Sequence, residues 1–124
     1  MRRYLIVDDN LAFAENLTEI LRDEGAEVTA VESGASALEL IRAVCFDALV
    51  TDMRMPAMSG ARLLQEIRRI DPHLPAIVVT AYTGESDMLA ARQEGLLAIL
   101  PKPVPIDRLI DLLRTARRNG VARQ

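Results

Sequence analysis

Short apolar runs alternate with helical patterns along this chain, and that alternation limits the folds open to it. "YLIV" (4–7), "EVTAV" (27–31), "ALVT" (48–51), "AIVVT" (76–80) and "LAIL" (97–100) are short and mostly aliphatic or β-branched, as strands of a parallel sheet covered on both faces should be. Between them, Phe13, Leu17, Ile20 and Leu21 share one helical face. Leu38, Ile41 and Val44 repeat the pattern, as do Leu63, Leu64, Ile67 and Ile70, and then Ile106, Leu109, Ile110 and Leu113. Ser33 and Ser59 read as N-caps, and Gly25 and Gly95 as helix stops. The fourth helix, about 85–94, has only a thin stripe of Met88, Leu89 and Ala91, which predicts the least firmly docked element. Strict β-α alternation predicts an α/β, doubly wound, five-stranded parallel sheet with right-handed crossovers.

A length of 124 residues suits one domain, expected over 1–119, with 120–124 as a tail or the start of a linker. The net charge of −3 gives no general pull toward nucleic acid. Arg114, Arg117, Arg118 and Arg123 read as cations favourable at a helix C-terminus rather than as a DNA-binding arm. Cys45 is the only cysteine, which excludes a disulfide framework and points to a reducing compartment. Following Ala43 and Val44, it reads as a core thiol. No apolar run approaches the ~18 residues of a membrane span, and "MRRYLIVDDN" lacks a signal-peptide core. A cytoplasmic protein without a membrane partner is expected.

Ligands of such sheets bind outside the carboxyl ends of the strands. There the first strand ends in Asp8 and Asp9, the third in Asp52, the fourth in Thr80, and the fifth runs into Lys102. Any one of these could be a cap or a turn residue, but their shared edge is harder to dismiss. Carboxylates packed together repel unless a cation neutralises them. All-oxygen ligation points to a hard ion, and a site that keeps several waters suits Mg²⁺ better than Ca²⁺. His73, in "DPHLP", reads as a surface residue. Nucleotide-binding glycine motifs are missing. A nucleophilic carboxylate beside Mg²⁺, with an ammonium and a hydroxyl opposite, is equipment for phosphoryl transfer.

"VDDN", "TDMRMPAMSG", "TAYTGE" and "LPKP", following strands one, three, four and five, together resemble the receiver domain of bacterial response regulators. The likeness covers nearly the whole chain, and "DMRMP" and "TAYTGE" are most similar to receivers of enhancer-dependent transcription activators. The resemblance implies a flavodoxin-like (βα)5 fold with strand order 2-1-3-4-5. It makes Asp52 the phosphoacceptor, and Asp8, Asp9, Asp52 and the Arg54 carbonyl the Mg²⁺ ligands. Thr80 and Lys102 would hold the phosphoryl group, with Ala81 as the small neighbour that keeps the aspartate accessible. Lys102 is the only lysine among fifteen basic residues, and it sits between Pro101 and Pro103. A compact ammonium can move between partners, whereas the planar fork of Arg favours one bidentate pose. Similar receivers have a cis bond between this Lys and Pro. Ile99 departs from the family, which often has Tyr or Phe there, and an aliphatic side chain cannot offer a hydroxyl or swing a ring inward when Thr80 moves. Tyr82 reads equally as a gate to the phosphoryl group or as a solvated loop residue.

The implied function is that of a two-component (phosphorelay) switch rather than an enzyme. Its donor would be a sensor histidine kinase or phosphotransfer protein. The fourth helix, fifth strand and fifth helix would address an output domain or effector, with transcription as one output and a homodimer left open, and with no direct nucleic-acid contact by this domain. An aspartyl phosphatase would resemble D-x-D after its first strand, where this chain has adjacent aspartates. An FMN binder would need a hydroxyl-rich loop where "DDNLAF" stands. Docking modules that are never phosphorylated tend to lack a key residue, and none is missing here. A stand-alone receiver and the N-terminal receiver of a longer protein both fit.

Overall fold

A computed structural model describes residues 1–81 and 84–117. Elements alternate as β1 (Arg3–Val7), α1 (Leu11–Asp23), β2 (Glu27–Val31), α2 (Gly34–Ala43), β3 (Ala48–Thr51), α3 (Gly60–Ile70), β4 (Ala76–Thr80), α4 (Glu85–Arg92), β5 (Ala98–Pro101) and α5 (Ile106–Thr115). The strands are parallel, in the order β2-β1-β3-β4-β5. All of β3 and β4 is buried, which explains their unbroken apolar runs.

Successive strand side chains point to opposite faces. Leu5 and Val7 of β1, with Ala76 and Val78 of β4, join a core layer that includes Leu38, Ile41, Leu64 and Ile67 of α2 and α3. Tyr4, Ile6, Ile77 and Val79 join the opposite layer with Leu17 and Leu21 of α1 and Leu109 and Leu113 of α5. The chain leaves β1 toward β2 on one side and sits beside β3 on the other, so a crevice opens at the carboxyl ends of β1 and β3.

Both expected serine caps form: Ser33 accepts from the Ser36 N–H, and Ser59 from the Arg62 N–H. Asn10 caps α1 in the same way through the Phe13 N–H, a cap not anticipated from the sequence. Gly25 and Gly95 follow their helices with φ of 93° and 77°, a region that suits glycine.

Three sequence expectations are corrected. Cys45 is exposed rather than in the core. Helix α2 ends at Ala43 and Val44 is extended, so alternating side chains put Phe46 inside and Cys45 outside. Leu89 is also exposed (59%), while Ala91 is buried and Met88 packs against the core. Positions 88 and 91, three apart, share a helical face that position 89 leaves by about 100°. Helix α4 is shorter than expected as well, ending at Arg92. Among the described residues no helix is long and apolar enough to cross a membrane.

Candidate functional site

Backbone hydrogen bonds fix the strand-end residues before their side chains meet. The Asp8 N–H donates to the Val31 carbonyl of β2 at 3.1 Å, and the Asp52 N–H to the Val7 carbonyl of β1 at 3.0 Å. The Lys102 N–H donates to the Thr80 carbonyl of β4 at 3.1 Å. Each is a last rung of the parallel ladder, so the rigid sheet sets the spacing of the site.

Carboxylate oxygens of Asp8, Asp9 and Asp52 lie within 4.8 Å of one another. Asp8 is buried, Asp9 exposed and Asp52 half-buried. Lys102 Nζ donates to Asp8 Oδ2 at 2.8 Å and forms a longer ion pair with Asp52 Oδ2 at 3.6 Å. The other oxygen of Asp8 accepts from the Asn10 N–H at 2.9 Å, and Asp52 Oδ1 accepts from the Met53 N–H at 2.8 Å. Asp52, Arg54, Thr80, Ala81 and Lys102 line an open cleft. The Lys102–Pro103 peptide bond is cis.

Burial pushes the Asp52 carboxyl above its ordinary value; the Lys102 charge lowers it, the Asp8 charge raises it, and the Met53 and Arg54 N–H groups lower it. Three clustered carboxylates with one ammonium leave an excess of negative charge, and the all-oxygen donor set fits a hard dication.

The loop from β3 to α3 is held tightly beneath this cleft. The Gly60 N–H donates to the Met53 carbonyl at 2.7 Å. A Cβ on Gly60 would collide with the Asp52 carbonyl oxygen and lie 3.0 Å from Met53 Cα. Glycine is therefore required by close approach to the backbone of Asp52.

The structure thus brings together Asp8, Asp9, Asp52, Thr80 and Lys102, with Arg54 and Ala81 on the cleft wall. His73 is exposed in the turn before β4. Ile99 is half-buried and packs against the core layer containing Val78 and Ala91. Tyr82, Arg118 and Arg123 lie outside the described residues. Phe13 has the helical spacing of a core residue, yet its ring centroid lies 4.4 Å from Lys102 Nζ.

The profile of the response regulator receiver domain family matches residues 4–114. The chain belongs to that family. This receiver is 62% identical over 112 residues to a response regulator receiver protein of Anaeromyxobacter sp. (strain Fw109-5), covering 90% of the chain and 47% of the relative. It is 36% identical over 111 residues to the DNA-binding transcriptional regulator NtrC of Escherichia coli (strain K12), covering 90% of the chain and 24% of NtrC. The chain therefore spans under half the length of either relative. Among solved structures, the receiver domain of sensor histidine kinase PA1611 from Pseudomonas aeruginosa PAO1 superposes with a TM-score of 0.83 at 28% identity. That match covers 93% of this chain and 96% of the other, which has a magnesium ion coordinated in its active-site cleft. The fold and strand order expected of a receiver are those observed.

Proposed function

We propose that this receiver accepts a phosphoryl group on Asp52 from a sensor histidine kinase or phosphotransfer protein and switches an output surface in response. The observation that carries the reading is the half-buried Asp52 in a cleft with Lys102, Thr80 and two further carboxylates. Asp52 would form a new P–O bond as the P–N bond of a phosphohistidine breaks. The electron pair stays with the departing imidazole nitrogen, which takes a proton from solvent. The Lys102 ammonium and Thr80 hydroxyl would donate to phosphoryl oxygens, and the exposed Ala81 leaves the approach open. Asp8, Asp9, Asp52 and the Arg54 carbonyl would hold Mg²⁺, which supplies charge neutralisation when bound. Hydrolysis of the acyl phosphate would return the switch to its starting state, with the chain assisting its own reset but acting on no separate substrate.

The output surface would be α4-β5-α5, facing an attached output domain, an effector or a second copy. Likeness to NtrC favours control of transcription; the chain would act in the cytoplasm, with residues 1–119 as the receiver and 120–124 as tail or linker. Incubation with Mg²⁺ and a small acyl phosphate should add one phosphoryl group by intact mass. The adduct should be missing without Mg²⁺ and in Asp52→Ala; an undiminished adduct in Asp52→Ala would overturn the reading.

A further inference from the structure

The sole lysine of the chain has an aromatic floor. Phe13 sits in the first turn of α1, where its N–H donates to the Asn10 cap at 3.1 Å, so the cap that starts the helix also fixes the ring's point of attachment. The side chain is half-buried and packs against the α1/α5 core layer. The ring lies beneath Lys102 Nζ at 4.4 Å from its centroid. The ammonium is thus bounded by Asp8 Oδ2 at 2.8 Å, Asp52 Oδ2 at 3.6 Å and the π-face of Phe13.

These neighbours hold the charge differently. Hydrogen bonds to carboxylate oxygens are directional and must break for the ammonium to change partner. Attraction to a ring quadrupole is broad, and an ammonium can pivot over the ring without losing it. The ring also keeps water from one side of the ammonium. A leucine would preserve the apolar volume but has no quadrupole. Tyr4 and Phe46, the other aromatics among the described residues, are buried in the two core layers.

We propose that Phe13 is a positioning residue for Lys102, its ring holding the ammonium between Asp8 and Asp52 while the oxygen partners exchange on phosphorylation. The proposal rests on Asp52 being the acceptor. Its test has two independent readouts. Because Lys102 is the only lysine, lysine-selective isotope labelling gives a single set of side-chain resonances. In the unphosphorylated protein the ring current should move the Lys102 ε-CH2 protons upfield. Phe13→Leu should return them to an ordinary position, and Phe13→Tyr should keep the shift.

In Mg²⁺ with a small acyl phosphate, Phe13→Leu should slow phosphorylation about threefold, and Phe13→Tyr should restore most of the rate. Unshifted ε-CH2 protons in the wild type would overturn the placement. A shifted signal with a wild-type rate in Phe13→Leu would show that the ring touches the lysine without positioning it, which also overturns the proposal. A wild-type chain with the shifted signal that takes no phosphoryl group would instead sink the acceptor reading, and the positioning role with it.

Discussion

Asp52 is a carboxyl whose surroundings oppose its own ionisation. Burial and the Asp8 charge raise its carboxyl above the ordinary 3.8, against the opposing pull of Lys102 and two backbone N–H groups. A raised acid contributes stability that is fully present below the unfolded-state value and is lost as pH rises through the folded-state value. Ionised Asp52 therefore weakens the fold at neutral pH. In metal-free buffer at pH 7, Asp52→Asn should melt at a higher temperature than the wild type. The advantage should shrink as pH falls and be gone below 3.8. Added Mg²⁺ should raise the melting temperature of the wild type more than that of the variant. A variant that melts lower at pH 7 would contradict the sign. At this scale the carboxylates, Thr80 and Lys102 were legible because each ends a recognisable strand. The floor under the lysine was not. Phe13 has the spacing of a core residue, and nothing within α1 records what arrives from β5.

Helix α4 shows how unevenly an element can be held. Its N-cap, Gly84, offers no side-chain hydrogen bond, and Ala91 is its one fully buried residue among those described. The turn that follows it is tied down by Arg68 of α3. The guanidinium donates from Nε to the Glu94 carbonyl at 2.7 Å, and from one terminal nitrogen to the Leu74 carbonyl at 2.7 Å and the Asp71 carbonyl at 3.4 Å. One side chain thus joins the end of α3, the approach to β4 and the exit of α4. Arg68→Ala should destabilise the domain by about 2 kcal/mol, the scale of charge-assisted hydrogen bonds that are part-buried. Arg68→Lys should recover little, because an ammonium cannot fork across carbonyls of separate elements. Urea unfolding measures both, and a wild-type midpoint in Arg68→Ala would contradict the clamp. The serine caps of α2 and α3 were legible because capping is local. The exposure of Leu89 was not, since a thin stripe does not say which of two adjacent apolar positions faces inward.

The whole molecule was the most legible level. The central strands of a doubly covered parallel sheet need unbroken apolar runs, the edge strands β2 and β5 less so, and the five runs fall on β1 to β5 to within one residue. Their lateral order is another matter, because spacing along the chain does not say which strands are neighbours. That order came from likeness to receivers, and the hydrogen-bonded pairs bear it out. The order puts β1 and β3 side by side, so Asp8 and Asp52, 44 positions apart in the sequence, share one crevice. If that crevice exists to phosphorylate Asp52, the modified residue can be located directly. The chain is treated with acyl phosphate and Mg²⁺, reduced with borohydride to convert the acyl phosphate to homoserine, and mapped by peptide mass spectrometry. Homoserine should appear at position 52 and nowhere else. Homoserine at position 8 or 9, with position 52 unmodified, would contradict the assignment of the phosphoacceptor.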